Sequence, residues 1–218
     1  MPTAQPAITF FHSPYSRAAG VRWLLEELGV SYAVEFVGVH GQQVDDDYRA
    51  IQPHKKVPAV RVGDTVVTER AAIVIYLADM FPEAGLAPAL DDPRRAAYLT
   101  MLVYGDSVFD PCVAARAHGV QHKPSDYSFG SFEDVIRNLD AKLTAHPYAA
   151  GPRFTAADTQ LASGLGFTMN VLQVVPRLPS FLAYVERTAE RPAFKRAQEL
   201  DAKLAQEHPE IMEALSRR

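Results

Sequence analysis

The chain has 218 residues, 48% of them hydrophobic and 22% charged, which is an ordinary globular composition with room for one large or two small domains. Its net charge of −4 gives no reason to expect nucleic acid or an anionic membrane as the main partner. The single cysteine, Cys112, excludes an intrachain disulfide and a cysteine-built zinc site. No stretch has the roughly 20 apolar residues of a membrane-spanning helix, and no secretory signal is visible, so we expect a cytoplasmic protein.

Strands and helices alternate through the first eighty residues. The predicted elements are a strand over 7–12, a helix over 21–28, a strand over 32–37, a short helix over 44–51, a hairpin turning at Gly63-Asp64, and a helix after Glu69. Because a β-α-β unit is joined here to a β-β-α unit, this order predicts an α/β domain with one mixed four-stranded sheet and helices on both faces.

The pattern changes to an all-helical one beyond Pro93. Helices are predicted over 93–117, 131–146, 155–173, 178–189 and 191–206, with proline-containing turns between them. We therefore predict an α/β domain over residues 1–82, a linker over 83–92, and an all-α domain over 93–218.

Three short segments of the first domain have residues that could bind a ligand. The loop from His12 to Arg17 places hydroxyl groups near the unpaired N–H groups of a helix start, a site that favours an anion such as a thiolate. Ser16 could equally be a simple helix cap. The second segment is Lys56-Val57-Pro58, where a cis bond before Pro58 would turn the Val57 backbone into a cleft, and a trans bond would make it an ordinary strand start.

The third segment is Thr68-Glu69-Arg70. The Glu69 carboxylate could receive an ammonium group, while the helix start beside it could receive a carboxylate, so an amino-acid head group would find both partners there. The alternative is a capped helix with two solvated charges.

Together these segments resemble the cytosolic glutathione transferases, in a bacterial-type variant with serine in the loop. The resemblance covers essentially the whole chain and rests on WLLEELG over 23–29, the run from Ile51 to Ala59 containing KVPA, and the run from Glu69 to Asp79. It implies a thioredoxin-like N-terminal domain with a cis-proline, an all-helical C-terminal domain, a homodimer, and glutathione as cosubstrate.

The resemblance also assigns roles to residues that would bind glutathione. Val57, before Pro58, would pair with the cysteinyl backbone of glutathione, and Glu69 would meet its γ-glutamyl group. Arg70 stands where the family commonly has serine, and it could still hold the γ-glutamyl carboxylate by its charge. The glycyl carboxylate would be within reach of Lys56, His40 and Gln42.

Two registers give two candidates for the hydroxyl that activates the thiol. Counted from the end of the first strand, SPYSR resembles serine-type plant enzymes and favours Ser13. Counted back from Gly29, the loop has the length of the cysteine-type bacterial enzymes, whose cysteine falls on Arg17 beside Ser16. We favour Ser16, which is closer to the helix start, and keep Tyr15 as a third possibility. Lowering a thiol pKa of ~8.5 by about two units takes roughly 2.7 kcal/mol, which one charge-assisted hydrogen bond and a helix start can supply.

The second domain is expected to hold a small electrophilic or peroxide substrate. Tyr104, Phe109 and Cys112 have spacings that could share a helical face, and with Tyr15 they are the predicted pocket; the alternative is that they are core residues. No metal is required by this chemistry. A non-catalytic binding module with the same architecture is the alternative function.

Overall fold

The computed structural model describes residues 6–40 and 44–216. It contains two compact units, Met1–Tyr76 together with Pro192–Arg218, and Leu77–Arg191. The predicted domain limits follow the change of secondary structure at residues 83–92, whereas these units follow contacts, so the C-terminal segment falls with the first unit. Whether 1–82 and 93–218 fold as separate domains stays a prediction.

The first unit is built on the mixed four-stranded sheet that the sequence predicts. Its strands are β1 (Ile8–His12), β2 (Ala33–Phe36), β3 (Ala59–Val62) and β4 (Thr65–Thr68). They lie in the order β2-β1-β3-β4; β1 is parallel to β2 and antiparallel to β3, and β3 is antiparallel to β4. This is the thioredoxin-like arrangement that the resemblance implies.

Helices complete both units. They are α1 (Ala19–Leu28), α2 (Arg70–Met80), α3 (Arg94–Tyr104), α4 (Asp110–Ala117), α5 (Phe132–Ala145), α6 (Ala156–Asn170), α7 (Pro179–Ala189), α8 (Pro192–Glu207) and α9 (Glu210–Ser216). A 3₁₀ turn over Asp46–Ala50 stands where a short helix is predicted. The helix α9 follows the last predicted helix and was not predicted.

The core of the first unit forms where the sequence is continuously apolar. Phe10 of β1 and Val60 of β3 are fully buried, and Trp23 and Leu24 of α1 are buried with them. The helix α1 ends at Gly29, whose φ of 65° is in the left-handed region that glycine adopts without steric cost. The sequence pattern of a buried strand followed by an amphipathic helix is therefore confirmed.

A π-helical segment, Gly105–Phe109, interrupts the single helix predicted over 93–117. A Cβ atom on Gly105 would lie only 2.8 Å from Nε2 of Gln160, so any other residue here would have to displace the end of that side chain. The same Nε2 donates to the Leu102 carbonyl and to Asp106, at 3.2 and 2.8 Å. Because a π turn inserts an extra residue, α-helical spacing no longer tells which side chains share a face beyond this point.

The second unit has a fully buried carboxylate at the start of α6. Thr155 and Asp158 form a capping box, whose T-x-x-D spacing is visible in the sequence. Asp158 accepts hydrogen bonds from the Ala149 and Thr155 N–H groups, both at 2.8 Å, from the Thr155 hydroxyl at 3.1 Å and from the Tyr184 hydroxyl at 2.9 Å. All four donors belong to the same unit, so this carboxylate stabilises the fold of the unit.

Among the residues that the structure describes, no helix is both long and apolar enough to cross a membrane.

Candidate functional site

Strand register brings the three predicted segments to one edge of the sheet. Phe11 of β1 lies opposite Ala59 of β3, and Ala59 lies opposite Thr68 of β4. The loop after β1, the Val57-Pro58 bond before β3 and Glu69 after β4 therefore all leave the sheet at this edge. Since neighbouring strands are about 4.8 Å apart, the three segments span roughly 10 Å.

The Val57-Pro58 peptide bond is cis, as the resemblance implies. Within the described ranges, neither the N–H nor the C=O of Val57 has a hydrogen-bond partner. Both groups are therefore available to pair with the extended backbone of a ligand, as the edge of a sheet pairs with an added strand.

Tyr48 supports the segment before Pro58. Its hydroxyl donates to the Lys56 carbonyl at 3.0 Å, and its ring lies 5.6 Å from that of Phe11. Val57 packs against the same buried cluster, which includes Phe11, Tyr48 and Ala59. The position of the unpartnered Val57 backbone is thus fixed by buried side chains.

Glu69 occupies an unusual backbone conformation between β4 and α2. Its φ of 66° lies in the left-handed region, which costs a non-glycine residue of order 1–3 kcal/mol and is enriched at functional sites. Its carbonyl accepts the Ile73 N–H at 2.9 Å, so Glu69 is the residue that immediately precedes the helix α2. The carboxylate is exposed and has no hydrogen-bond or ion-pair partner in the described part of the chain. Arg70, beside it, is half-buried.

The two serines of the loop after β1 have different surroundings. Ser13 is fully buried, and its hydroxyl has no hydrogen-bond partner among the described residues. Ser16 is half-buried; its hydroxyl donates to the Ser13 carbonyl at 2.6 Å and accepts the Ala18 N–H at 3.1 Å. Tyr15 between them is 41% exposed and has a φ of 55°. Ser16 is the more accessible hydroxyl, although its proton is engaged by a backbone carbonyl.

The side chains predicted for the glycyl carboxylate are separated. Lys56 is exposed, and its ammonium group has no partner in the described ranges. His40 is only 5% exposed, and its Nε2 lies 2.7 Å from the Pro14 carbonyl oxygen, so it supports the loop; its role toward a ligand stays a prediction. Gln42 lies outside the described residues.

The residues predicted for the electrophile pocket belong to different units. Tyr15 is in the first unit, and the other three are in the second. Phe109 and Cys112 are 3% and 1% exposed, and burial raises the pKa of the Cys112 thiol to about 11. Tyr104 is half-buried, and burial also raises its pKa. The burial of Phe109 and Cys112 agrees with the core alternative; the pocket itself stays a prediction.

Sequence reasoning missed a buried polar cluster directly beside the loop. His12, the last residue of β1, has its Nε2 2.8 Å from Oδ1 of Asp201, and Nε of Arg22 lies 3.0 Å from the same oxygen. The three residues are 0%, 5% and 3% exposed. The one local signal was a histidine at the end of an apolar strand, and it could not indicate a partner 189 positions away.

In the part of the chain that the structure describes, no group of three or more histidine, cysteine, aspartate or glutamate side chains could hold a metal ion. The polar groups at the sheet edge are instead one carboxylate, two cationic side chains, a backbone amide and a hydroxyl.

Known proteins are similar to this chain in sequence and in fold. Residues 6–79 match the model of the glutathione S-transferase N-terminal domain. Glutathione S-transferase GstA of Escherichia coli O157:H7 is 26% identical over 201 residues, which cover 86% of this chain and 95% of that protein. A glutathione transferase structure from Methylococcus capsulatus has a TM-score of 0.77 at 24% identity, over 89% of this chain and 98% of the other.

A second solved structure, a sphingomonad glutathione S-transferase complexed with glutathione, has a TM-score of 0.73 at 26% identity. It covers 89% of this chain and 98% of its own. With the thioredoxin-like sheet and the cis-proline, these similarities show that residues 6–79 form a glutathione S-transferase N-terminal domain and that the chain is similar to cytosolic glutathione transferases over most of its length.

Proposed function

We propose that the protein is a glutathione transferase that binds glutathione along the sheet edge and activates its thiol for attack on a small electrophilic or peroxide substrate. The observation that supports this most is the convergence of the Val57 amide, the Glu69 carboxylate and the Ser16 loop at one edge. The first two have no partner within the described residues.

The dimensions of the edge suit a tripeptide. Three residues in an extended conformation span at most about 10 Å. The distance from the loop after β1 to Glu69 crosses three strands and is also roughly 10 Å. In this arrangement the Val57 backbone pairs with the central cysteinyl residue, Glu69 with the γ-glutamyl end, and Lys56 with the glycyl end.

The charged groups of glutathione are also complementary to those of the sheet edge. At neutral pH glutathione has two carboxylates and one ammonium group, while the edge has the two cationic side chains of Lys56 and Arg70 and the carboxylate of Glu69. Hydrogen bonds to charged groups contribute about 1.5–3 kcal/mol each, so a site with three such contacts gives selective binding.

We assign thiol activation to Ser16, not to Ser13. Ser13 is fully buried, whereas Ser16 is half-buried and accepts a hydrogen bond from the Ala18 N–H near the start of α1. On binding, the Ser16 proton would turn from the Ser13 carbonyl to the sulfur while the Ala18 contact is kept. The helix start and this hydrogen bond then favour the thiolate.

One observation favours the alternative, a non-catalytic glutathione-binding module. The Ser16 hydroxyl donates to the Ser13 carbonyl at 2.6 Å, and a hydroxyl that keeps this contact cannot donate to a thiolate. The two functions differ in turnover and share the binding site.

The test is retention on immobilised glutathione followed by thiol conjugation to a generic aryl halide. We expect specific elution by free glutathione and measurable conjugation. Elution without turnover of any aryl halide or peroxide would favour the module, and no retention would contradict both functions. Size-exclusion chromatography with light scattering tests the expected homodimer in the same preparation.

A further inference from the structure

The C-terminal segment contributes a buried contact to β1, the strand that leads into the loop with Ser13 and Ser16. Asp201 is the only hydrogen-bond partner of the His12 ring among the described residues; the other ring nitrogen, Nδ1, is buried without one. Ser13 follows His12 directly in the chain. The contact between the ring and Asp201 therefore fixes the residue from which the loop departs.

The groups around His12 determine its proton state. It faces Asp201 on α8 and Arg22 on α1, and His40 contributes a further repulsive charge when protonated. Burial lowers the pKa of His12, although Asp201 opposes this. The ring is thus neutral at physiological pH, and it donates from Nε2 to the Asp201 carboxylate, whose charge Arg22 balances.

Further contacts hold α8 and the segment after it in the first unit. The Phe194 ring lies 4.8 Å from that of Trp23 on α1. Arg196 contacts the Glu26 carboxylate at 3.2 Å and the Glu26 carbonyl at 3.1 Å. Because several contacts seat α8, Asp201 is held in place independently of His12.

We propose that Asp201 is a positioning residue for the glutathione site: from α8 it fixes the His12 ring, and through it the loop that carries Ser16. This inference rests on the proposed function. A displacement of about 1 Å in a catalytic geometry can cost about 10²-fold in rate, so a loop anchored at one end by a buried side-chain contact is sensitive to losing that contact.

Two double variants separate positioning from charge. Arg22→Met with Asp201→Asn removes both charges but keeps an oxygen acceptor for His12. Arg22→Met with Asp201→Leu removes both charges and the acceptor. The leucine side chain has nearly the same shape as the aspartate that it replaces. Replacing a buried ion pair by apolar residues of similar volume is often tolerated by a fold. Arg196→Gln is the control for a contact between α8 and α1 that does not involve His12.

The readout is the ultraviolet absorbance of the thiolate of bound glutathione, titrated with pH below the melting temperature of each variant. We expect the asparagine variant and Arg196→Gln to keep a thiol pKa close to that of the wild type. The leucine variant should raise it by about one unit, with a roughly tenfold loss of turnover near neutral pH.

Equal thiol pKa values in the asparagine and leucine variants would overturn the inference, and so would a leucine variant that fails to fold, since the contact would then be structural. If wild-type protein binds glutathione without a depressed thiol pKa, or does not bind it, the proposed function fails as well. The wild-type titration therefore distinguishes the two failures.

Discussion

Two polar regions of the molecule differ in how fully their groups are paired within the protein. In the second unit, the Asp158 carboxylate accepts four hydrogen bonds and is fully buried. At the sheet edge of the first unit, the Val57 amide and the Glu69 carboxylate have no partner within the described residues. Polar groups paired within the protein stabilise its fold, whereas the accessible Val57 and Glu69 groups keep their hydrogen-bonding capacity for a ligand.

The largest expected effect is on the free energy of unfolding, at the fully paired Asp158 carboxylate. Asp158→Ala should lower the free energy of unfolding by at least about 3 kcal/mol, because each donor left buried and unpaired costs about 1–3 kcal/mol. Urea unfolding measures this. Ser131→Ala is the control in the same unit. The Ser131 hydroxyl caps α5 through exposed bonds only, accepting from the Asp134 N–H and donating to the Asp134 carboxylate, and its loss should cost only about 1 kcal/mol. Equal losses of unfolding free energy in the two variants would contradict the special role of the Asp158 carboxylate in the fold.

At the sheet edge of the first unit, Glu69→Gln should weaken glutathione binding about 10- to 100-fold, because a hydrogen bond to a charged group contributes about 1.5–3 kcal/mol. The free energy of unfolding of this variant should equal that of the wild type, since the Glu69 carboxylate has no partner in the described part of the free protein. Titration calorimetry measures the affinity. Asp64→Asn, in the exposed turn at the other end of the same hairpin, is the control and should bind as the wild type does.

The third prediction compares the two serines of the loop after β1 by their effect on turnover. Ser16→Ala should reduce turnover about tenfold at unchanged glutathione affinity, which corresponds to about 1.4 kcal/mol of lost thiolate stabilisation. Ser13→Ala should have less effect on turnover, because the Ser13 hydroxyl is fully buried. The reverse ranking in a steady-state conjugation assay would show that the register counted from the first strand is correct.

The smallest expected effect concerns pH. Burial lowers the pKa of His12 in the folded protein below its ordinary value of 6.5. The unfolded chain therefore takes up this proton first on acidification, so stability falls as pH falls below about 6.5, by at most about 1.4 kcal/mol per pH unit. His12→Gln should flatten this part of the curve of unfolding free energy against pH. An unchanged slope would exclude His12 as its source.

Local patterns were sufficient for much of the fold. The apolar run before His12, the helical spacing ending at Gly29 and the hairpin at Gly63-Asp64 each depend on neighbouring residues, and each element forms where it was expected. The capping box at Thr155 and Asp158 is local as well. The resemblance placed the cis bond, which no local pattern could establish.

Features that depend on distant residues were not predictable. The π segment at Gly105 is contacted by Gln160, more than fifty positions away, and nothing near Gly105 indicates it. The partner of His12 lies at position 201. The burial of Ser13 relative to Ser16 depends on how the loop packs, so spacing alone left both serines as candidates.

The central claim is that the unpartnered groups at the sheet edge bind glutathione. Its most direct test is the backbone amide spectrum of isotopically labelled protein during a glutathione titration. We expect the largest shifts at Val57 and at Glu69, the residue before α2, and none at Ala149 or Thr155, whose amides are already bonded to Asp158. A saturable titration that leaves Val57 and Glu69 unshifted, or the absence of any saturable shift, would contradict the account.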